Sequence, residues 1–394
     1  MKRYDAAHLS AIEVVNRLVA TAIQMRASDI HLEPTADELV VRFRVNGLLS
    51  AQAPINGALK QQLISRLKVI AHIDIAEHRI PQDGAMTFEY ADGAVVNGFV
   101  DLRISTFPSL YGQKMVIRIL NRSYNFLRFD QLGFDTICYN AIKRIIERPQ
   151  GLFLVAGATG SGKTTTLYAL LDYLNTTERN IITLEDPVEY RIAGITQGHI
   201  QERIGFSFAQ GIRSLLRQDP DIIMVGEIRD SETAQTAVRA SMTGHLVLST
   251  LHTNDAPSSA IRLMDMGIEP YLLNAALSGV LAQRLVRTLC SCKKPEAVGI
   301  HQRRLLKDHT LVPEKLFKPV GCPSCNQTGY QTRVGIFEFM PMTDELKELV
   351  VSHANLDTLT KQARIDGMKT IQEDASIKLH QGMISLEDFM RIVW

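Results

Sequence analysis

The sequence lacks three features that would identify a partner from composition alone: an excess of charge of one sign, a long apolar run and an abundance of aromatic residues. Its 394 residues carry 43 Lys and Arg against 42 Asp and Glu, a formal net charge of +1. No overall field therefore draws the chain to nucleic acid or to an acidic membrane surface. A single Trp and an aromatic content of 6% do not provide a base-stacking track for single-stranded nucleic acid. Any such partner would need a local patch.

Membrane and secretion signals are also missing. No window approaches the roughly 18 uninterrupted apolar residues of a membrane span. Glu13, Asn16 and Arg17 interrupt the start of the chain, which is therefore not a secretory signal. These absences predict a cytosolic protein. The 14 Pro and 25 Gly are too few for a disordered or fibrous chain, and the length predicts two or more folded domains.

Hydrophobic periodicity divides the chain. Residues 8–26 have helical spacing, and the alternating run at 39–49 carries Asn46-Gly47, a strong hairpin signal. From residue 136 onward strands alternate with helices, the pattern of a parallel sheet covered on both faces. The predicted organisation is an α+β domain at 1–121, a polar linker at 122–135, and an α/β domain at 136–394 with a cysteine insertion at 290–335 and a helical subdomain at 343–394. Further strands are predicted near 85–90, 95–105, 114–120, 152–156, 181–185, 221–226 and 246–250, and a second helix at about 57–73.

A glycine-rich segment follows the apolar run at 152–156 and opens a helical pattern. It reads Gly157-Ala-Thr-Gly-Ser-Gly162-Lys163-Thr164 and matches the phosphate-binding loop G-x-x-x-x-G-K-[ST]. Backbone N–H groups of such a loop surround a β-phosphate, the lysine reaches the β- and γ-phosphates, and the threonine binds Mg²⁺. A plain glycine-rich turn is the alternative. The predicted nucleotide-binding residues are Gly157, Thr159, Gly160, Ser161, Gly162, Lys163, Thr164 and Thr165.

Two further strands end in acidic residues. Glu227 follows the apolar run at 222–225 and is predicted to emerge at the carboxyl edge of the sheet, where it would polarise the attacking water. Glu185 and Asp186 end the strand at 181–185 and are predicted to hold Mg²⁺ through water. The alternatives without function are an ordinary strand end for Glu227 and a solvated turn for the pair.

Two histidines flank the strand at 246–250. His252 follows it, at the edge where a γ-phosphate would lie, and His245 precedes it. Both are predicted to take part in catalysis. A structural role is the alternative for each of them.

Four segments occur in a fixed order: GATGSGKTTTLYALL, TLEDPVEY, LLRQDPDIIMVGEIRD and GHLVLSTLHTN. Together they resemble the Walker A, aspartate, Walker B and histidine boxes of the secretion and pilus-assembly ATPases of the GspE/PilB type. ASDIHLEP, DIAEHRIPQDG and LRISTFPSLYGQK resemble the same family, so the resemblance runs from about residue 10 to the end. It implies a P-loop domain of the RecA/AAA-like α/β type with a parallel-rich sheet, preceded by a PAS-like α+β domain.

The resemblance implies an Mg-ATP-hydrolysing motor for type II secretion or type IV pilus assembly. Such a motor would be a homo-hexamer at the cytoplasmic face of the inner membrane, associated with a platform protein of the machine. Arg103 and Arg118 match arginines that the family's first domain swings onto the nucleotide phosphates, and Arg213 and Arg217 match arginines that line the neighbouring site. Guanidinium groups in these places would stabilise charge on the transferring phosphoryl group.

Four of the five cysteines lie in two close pairs, Cys290-Ser-Cys292 and Cys322-Pro-Ser-Cys325, which in a reducing compartment favours a metal over a disulfide. The family usually has two C-x-x-C knuckles here that bind structural Zn²⁺. The first knuckle is one residue short in this chain, so a strained site or no site is the alternative to zinc. Cys138 stands alone and is expected to pack as a small hydrophobe.

Two other classes of function share the phosphate-binding loop. A nucleic-acid motor is disfavoured by the neutral charge and the few aromatic residues, and no nucleic-acid partner is expected. A non-hydrolysing, nucleotide-gated scaffold is disfavoured by the acidic group of Glu227. The family usually carries a further amino-terminal region, so we expect either a trimmed form or a short relative.

Overall fold

Two sheets of different character organise the chain, one in each of two units, Met1–Asn125 and Phe126–Trp394. The computed structural model describes residues 10–92, 95–120, 127–307 and 312–393. Within these ranges, no helix combines the length and the apolar character that crossing a bilayer requires.

The first unit contains an antiparallel sheet. Its elements are α1 (Ala11–Gln24), β1 (Ala27–Pro34), β2 (Glu38–Val45), β3 (Leu48–Ala51), β4 (Ile55–Asn56), α2 (Gly57–Ile70), β5 (Gln82–Asp92), β6 (Val95–Ser109) and β7 (Gly112–Leu120). The strand order is β3-β2-β1-β7-β6-β5, and β4 pairs with β2. The predicted hairpin is confirmed: Asn46 and Gly47 join β2 to β3 with φ of 50° and 86°, the left-handed pair that a two-residue hairpin turn needs.

One face of this sheet is apolar and the other is charged, because successive side chains of a strand point to opposite faces. α1 and α2 pack on the apolar face, where Val41 and Ile117 are fully buried. On the charged face Asp29 accepts a hydrogen bond from Arg118 Nε at 3.1 Å and lies 3.7 Å from Arg44 Nε. The sheet therefore carries charge within its strands.

The second unit alternates strands with helices as predicted. Its elements are α3 (Thr136–Ile146), β8 (Gly151–Ala156), α4 (Lys163–Leu174), β9 (Ile181–Glu185), β10 (Thr196–His199), α5 (Phe208–Leu215), β11 (Ile222–Val225), α6 (Ser231–Met242), β12 (Leu246–Leu251), α7 (Ala256–Asp265), α8 (Pro270–Ala276), β13 (Leu277–Leu289), β14 (Lys294–Ala297), α9 (Ile300–Lys307), β15 (Lys315–Lys318), β16 (Tyr330–Pro341), α10 (Asp344–Val351), α11 (Leu356–Ile365), α12 (Ile371–His380) and α13 (Leu386–Val393).

The main sheet of this unit is mostly parallel. Its order is β10-β9-β11-β12-β8-β13-β16, with parallel pairing up to β13 and antiparallel pairing between β13 and β16. Every residue of β8, β11 and β12 is buried, since α3 and α4 cover one face and α5 to α8 cover the other. The carboxyl ends of β8, β9, β11 and β12 therefore meet at one edge, where polar groups become possible.

The structure corrects the predicted boundaries in two places. The sequence did not predict β10, β13 or β16; β13 is largely buried, so its sequence lacks the alternation that marks a half-exposed strand. The predicted linker also ends earlier than residue 135, because Phe129 is 2% exposed and stacks on Tyr139 with ring centroids 4.4 Å apart. Residues 122–126 of that linker lie outside the described residues.

Candidate active site

The glycine-rich loop lies between the end of β8 and the start of α4. Gly157, Gly160 and Gly162 have φ of 147°, 81° and 89°, conformations that other residues rarely adopt. Gly162 is the N-cap of α4, and no side chain among the described residues caps the helix there. The first-turn N–H groups of α4 are therefore left to bind an anion.

Lys163 begins α4 and lies against the loop. Its ammonium group donates to the carbonyl oxygens of Gly157 at 2.7 Å and Ala158 at 3.2 Å. Burial lowers the pKa of Lys163, and the negative charge of Glu227 opposes that change. The loop lysine and the acid after β11 are therefore close enough to interact electrostatically.

Glu227 is held at the carboxyl edge by contacts on two sides. Arg229 Nε donates to Glu227 Oε2 at 2.6 Å, and His252 Nε2 lies 3.2 Å from the same oxygen. The backbone is fixed as well, since the Thr250 hydroxyl donates to the Gly226 carbonyl at 2.8 Å. With its side chain 14% exposed, Glu227 presents one carboxylate in a defined position beside the glycine-rich loop.

Sequence reasoning missed Arg229. The hydrogen bond to Glu227 raises the pKa of Arg229, and the charges of Asp186 and Glu202 reinforce this. The guanidinium group thus interacts with carboxylates from the ends of two neighbouring strands, β9 and β11. The signal that could have found it is spacing, because residues two apart in extended chain point to the same side.

Glu185 ends β9, but the structure gives it buried partners. Its carboxylate is 3% exposed and accepts hydrogen bonds from the Thr183 hydroxyl at 2.5 Å, the Gln197 amide at 3.1 Å and the Tyr168 hydroxyl of α4. Burial raises the pKa of Tyr168, and the charge of Glu185 adds to this. Glu185 therefore joins β9 to α4, and the exposed Asp186 is the better placed of the two for an ion at the edge.

His245 and His252 lie at opposite edges of the sheet. His252 follows β12 and contacts Glu227, whereas His245 precedes β12 and its Nδ1 lies 3.0 Å from the carbonyl oxygen of Ala240 at the end of α6. The six residues of β12 between them span about 20 Å of extended chain. The structure thus corrects the prediction for His245: within one chain it does not reach the glycine-rich loop.

The second constellation is a cluster of four cysteines. The Sγ atoms of Cys290 and Cys322 lie 3.9 Å apart, those of Cys292 and Cys325 also 3.9 Å, and those of Cys322 and Cys325 3.7 Å. Four thiolates that bind one zinc ion at about 2.3 Å with tetrahedral geometry lie about 3.8 Å from one another. The short first knuckle therefore does not prevent a tetrahedral arrangement.

Backbone donors surround the sulfur of Cys325. The N–H groups of Cys322 and Gly329 lie 3.1 Å and 3.2 Å from it. Burial opposes ionisation of Cys325, but these donors, with the neighbouring cysteine side chains, lower its pKa to about 6. A thiolate of this kind is the form of cysteine that binds metal, so the cluster has both the geometry and the chemistry to bind a metal ion.

Comparison with known proteins identifies the family. A family model described as "Type II/IV secretion system protein" matches residues 5–391. The chain belongs to this family.

Curated members of the type II/IV secretion system family are similar to this chain over nearly all of its length. The type II secretion system ATPase E of Vibrio cholerae is 47% identical over 382 residues, which are 97% of this chain and 75% of that protein. The type IV pilus assembly ATPase PilB of Myxococcus xanthus is 46% identical over 383 residues, 96% of this chain and 67% of that protein. The resemblance predicted from the four ordered boxes is confirmed.

Solved structures are similar to this secretion-system family chain in fold. The ATPase DotB of Legionella pneumophila gives a TM-score of 0.72 at 19% identity, over 99% of this chain and 97% of that chain. The pilus retraction motor PilT, solved with bound ADP, gives a TM-score of 0.62 at 26% identity, over 98% and 97% of the two chains. The predicted α/β fold class is confirmed.

Of the arginines predicted from the family, Arg103 is partly exposed, and Arg118, Arg213 and Arg217 are exposed. Arg103 and Arg118 are paired directly opposite each other on β6 and β7, on the charged face of the first unit's sheet. In the second unit Arg213 Nη1 lies 3.0 Å from Glu232 Oε1, and Arg217 Nη1 donates to the Arg213 carbonyl at 2.8 Å. Each pair has an acidic residue beside it in its own unit, Asp29 in the first and Glu232 in the second, and its role toward a nucleotide stays a prediction.

Proposed function

We propose that this secretion-family chain hydrolyses Mg-ATP and that hydrolysis drives type II secretion or type IV pilus assembly. The observation that carries the proposal is one arrangement at the sheet edge. The anion-binding loop with Lys163 follows β8, and Glu227, held by Arg229 and His252, follows β11 at the same edge of the sheet. The names of the two curated relatives, a secretion ATPase and a pilus assembly ATPase, support the same activity.

Each residue at this edge has a chemical task in the proposal. The N–H groups of residues 157–165 and the ammonium group of Lys163 bind the β- and γ-phosphates. Thr164 and Asp186 hold Mg²⁺, which when bound neutralises charge on the phosphate oxygens. Glu227 polarises the attacking water, and His252, which shares a carboxylate oxygen with it, responds to the γ-phosphate.

The remaining arginines act in an assembly. We place Arg103 and Arg118 on the nucleotide phosphates when the first unit closes, and Arg213 and Arg217 beside the site of a neighbouring subunit. Guanidinium groups stabilise the charge of the transferring phosphoryl group and contribute about 10³–10⁵ to its rate elsewhere. The motor is accordingly a homo-hexamer at the cytoplasmic face of the inner membrane, associated with a platform protein of the machine.

The cysteine cluster is proposed to bind structural Zn²⁺. Cys290, Cys292, Cys322 and Cys325 supply four thiolates, which leave no position for a substrate. The ion would fold the insertion between β13 and β16 without taking part in hydrolysis.

Mg²⁺-dependent ATP hydrolysis by the purified chain, over a wide range of protein concentration, tests the proposal. Specific activity that rises with concentration is expected, because sites shared between subunits need assembly. Lys163→Ala should abolish nucleotide binding. Glu227→Gln should keep binding and lower kcat by about 10²–10⁴. Normal hydrolysis by Glu227→Gln would refute the catalytic assignment.

The two histidines of β12 give a matched pair of controls. His252→Ala removes a contact to Glu227 and should lower kcat, whereas His245→Ala changes a residue at the opposite edge and should leave hydrolysis within about twofold of the parent. Equal losses in both variants would contradict the proposed site. DNA-stimulated hydrolysis with a steep salt dependence would instead support a nucleic-acid motor.

A further inference from the structure

Gln283 of β13 joins the glycine-rich loop to the helix that follows it. Its Nε2 donates to the Ser161 carbonyl at 2.8 Å, and its Oε1 accepts from the Thr166 hydroxyl at 2.8 Å. All three residues are buried, and Gln283 is 2% exposed. A single amide therefore uses its donor on the loop and its acceptor on α4, on either side of Gly162.

The contact to Ser161 fixes the direction of one backbone donor. In a trans peptide the carbonyl and the N–H of the next residue point in opposite directions. The Ser161 carbonyl is turned toward Gln283, so the Gly162 N–H is turned away from β13. Gly162 is the N-cap of α4, where an N–H with this orientation contributes to an anion site.

The loop lies too close to β13 for the contact to be incidental. A Cβ added to Gly157 would lie 2.5 Å from the backbone oxygen of Gln283, and one added to Gly162 would lie 3.3 Å from the Gln283 Nε2. The pairing of Ala282 with Ala156 puts Gln283 directly beyond the point where β8 becomes the loop. The strand thus provides the wall against which the loop is shaped.

We propose that Gln283 is a positioning residue of the nucleotide site: its amide holds the Ser161–Gly162 peptide so that the Gly162 N–H faces the bound phosphate. The inference rests on the proposed function, since it requires a nucleotide in the glycine-rich loop. Gln283 acts through Gly162 and itself touches neither phosphate nor water. Losing the amide therefore weakens binding of ADP and ATP alike and raises KM more than it lowers kcat.

Calorimetric titration of the full chain with Mg-ADP tests this role. Gln283→Met keeps the length of the side chain and removes both hydrogen bonds, and we expect Kd to rise about tenfold, the equivalent of one hydrogen bond. Thr166→Val removes only the contact to α4 and should raise Kd less. A Kd for Gln283→Met within twofold of the parent would overturn the proposal.

Gln283→Glu gives a readout that a purely structural role would not move. A carboxylate cannot donate to the Ser161 carbonyl, whereas the protonated acid can. Because burial raises the pKa of a carboxyl group, the ratio of variant to parent Kd should fall as pH is lowered from about 8 to about 6. Lys163 and Glu227 face the same site in both proteins, so the parent is measured at every pH as the reference. A ratio independent of pH would count against the proposal, even if Gln283→Met failed to fold.

Glu338→Gln is the matched control, because Glu338 is a buried polar residue of β16 that pairs with Ala282, next to Gln283. It should lower the melting temperature but leave the Kd for Mg-ADP unchanged. An equal loss of affinity in this control would reduce the Gln283 effect to general destabilisation and overturn the inference. Failure of the parent itself to bind Mg-ADP would refute the proposed function as well.

Discussion

The two sheets of this chain treat charge differently. In the antiparallel sheet of the first unit, Asp29, Arg44 and Arg118 lie within strands on one face, where water reaches the two arginines. In the parallel sheet of the second unit, β8, β11 and β12 are buried throughout, and Lys163 and Glu227 lie beyond the strand ends.

The difference follows from how many faces each sheet covers. A sheet with helices on one face tolerates charged side chains along the whole length of its strands. A sheet with helices on both faces disfavours charged side chains within its strands and accepts them at the strand ends. Glu338 in β16 is one informative exception. It is 4% exposed, and its carboxylate accepts hydrogen bonds from the N–H groups of Ala256 at 2.7 Å and Ile371 at 3.1 Å, at the starts of α7 and α12.

Metal removal should have the largest effect on stability. The four cysteines lie in and beside the insertion between β13 and β16, so this part of the chain depends on the bound ion. Cys322→Ser should lose bound zinc and make the insertion between β13 and β16 sensitive to protease, since structural zinc contributes on the order of 10 kcal/mol to folding of its site. Metal analysis and limited proteolysis measure both. Cys138 lies in α3, outside the cluster. The Cys138→Ser variant is therefore the control, and the protein should still bind zinc at the cluster. A parent protein that binds no zinc would contradict the assignment.

The cost of removing a glutamate from a strand should also differ between the two sheets. Glu338→Ala should lower the free energy of unfolding of the second unit by about 2–4 kcal/mol, because two buried N–H groups at helix starts lose a charged acceptor. Glu33→Ala removes a half-exposed carboxylate bonded to Arg42 at 2.6 Å and Lys114 at 2.8 Å, and should cost about 0–1 kcal/mol. Urea unfolding followed by hydrogen exchange resolves the two units. Equal costs would break the comparison.

Two valines test the same contrast without charge. Val247 in β12 is fully buried, whereas Val116 in β7 lies on the charged face and is half-buried. Val247→Ala should cost about 2–3 kcal/mol through lost burial and a cavity, and Val116→Ala less than about 1 kcal/mol. The same unfolding measurement applies. A larger cost at Val116 would mean that the charged face is covered.

The contributions of Glu338 and Glu33 to stability should depend on pH with opposite signs. Burial raises the pKa of Glu338, so its favourable contribution is present below its ordinary value of 4.5 and is lost as pH rises through the raised value. Burial acts in the same direction on Glu33, but the bonds from Arg42 and Lys114 prevail and lower its pKa; its contribution is present above 4.5 and is lost as pH falls.

We therefore expect acidification from about pH 7 to about pH 4 to change the stability of the parent, relative to each variant, in opposite directions. For the second unit, the parent should gain stability relative to Glu338→Gln. For the first unit, the parent should lose stability relative to Glu33→Gln. We expect each change to be below about 1 kcal/mol. Pulse proteolysis in urea measures it, because cleavage fragments from each unit give a separate unfolding midpoint for that unit. Shifts of the same sign would refute the assignment.

Local signals account for what the sequence could predict. The Asn46-Gly47 hairpin, the glycine-rich loop and the placement of Glu227 depend on residues close together in the chain. Gln283 and Ser161 are 122 residues apart in sequence, and only the insertion of β13 beside β8 brings them together. That insertion was unpredictable because a strand buried on both faces has no period-two pattern. His245 needs no such long-range information, since the sequence already places it before β12 and His252 after β12, at opposite edges of the sheet.

The ion pair between Arg118 and Asp29 affects the free energy that Arg118 would gain by binding a phosphate. Arg118 Nε already donates to Asp29 at 3.1 Å, so a phosphate oxygen that took this N–H would replace one anion with another. The free energy gained is the difference between two charge-assisted contacts, which is smaller than either alone. An exchange of this kind would be readily reversed, and the ATPase proposed above, which would release its product in every cycle, would benefit from a contact that it can give up.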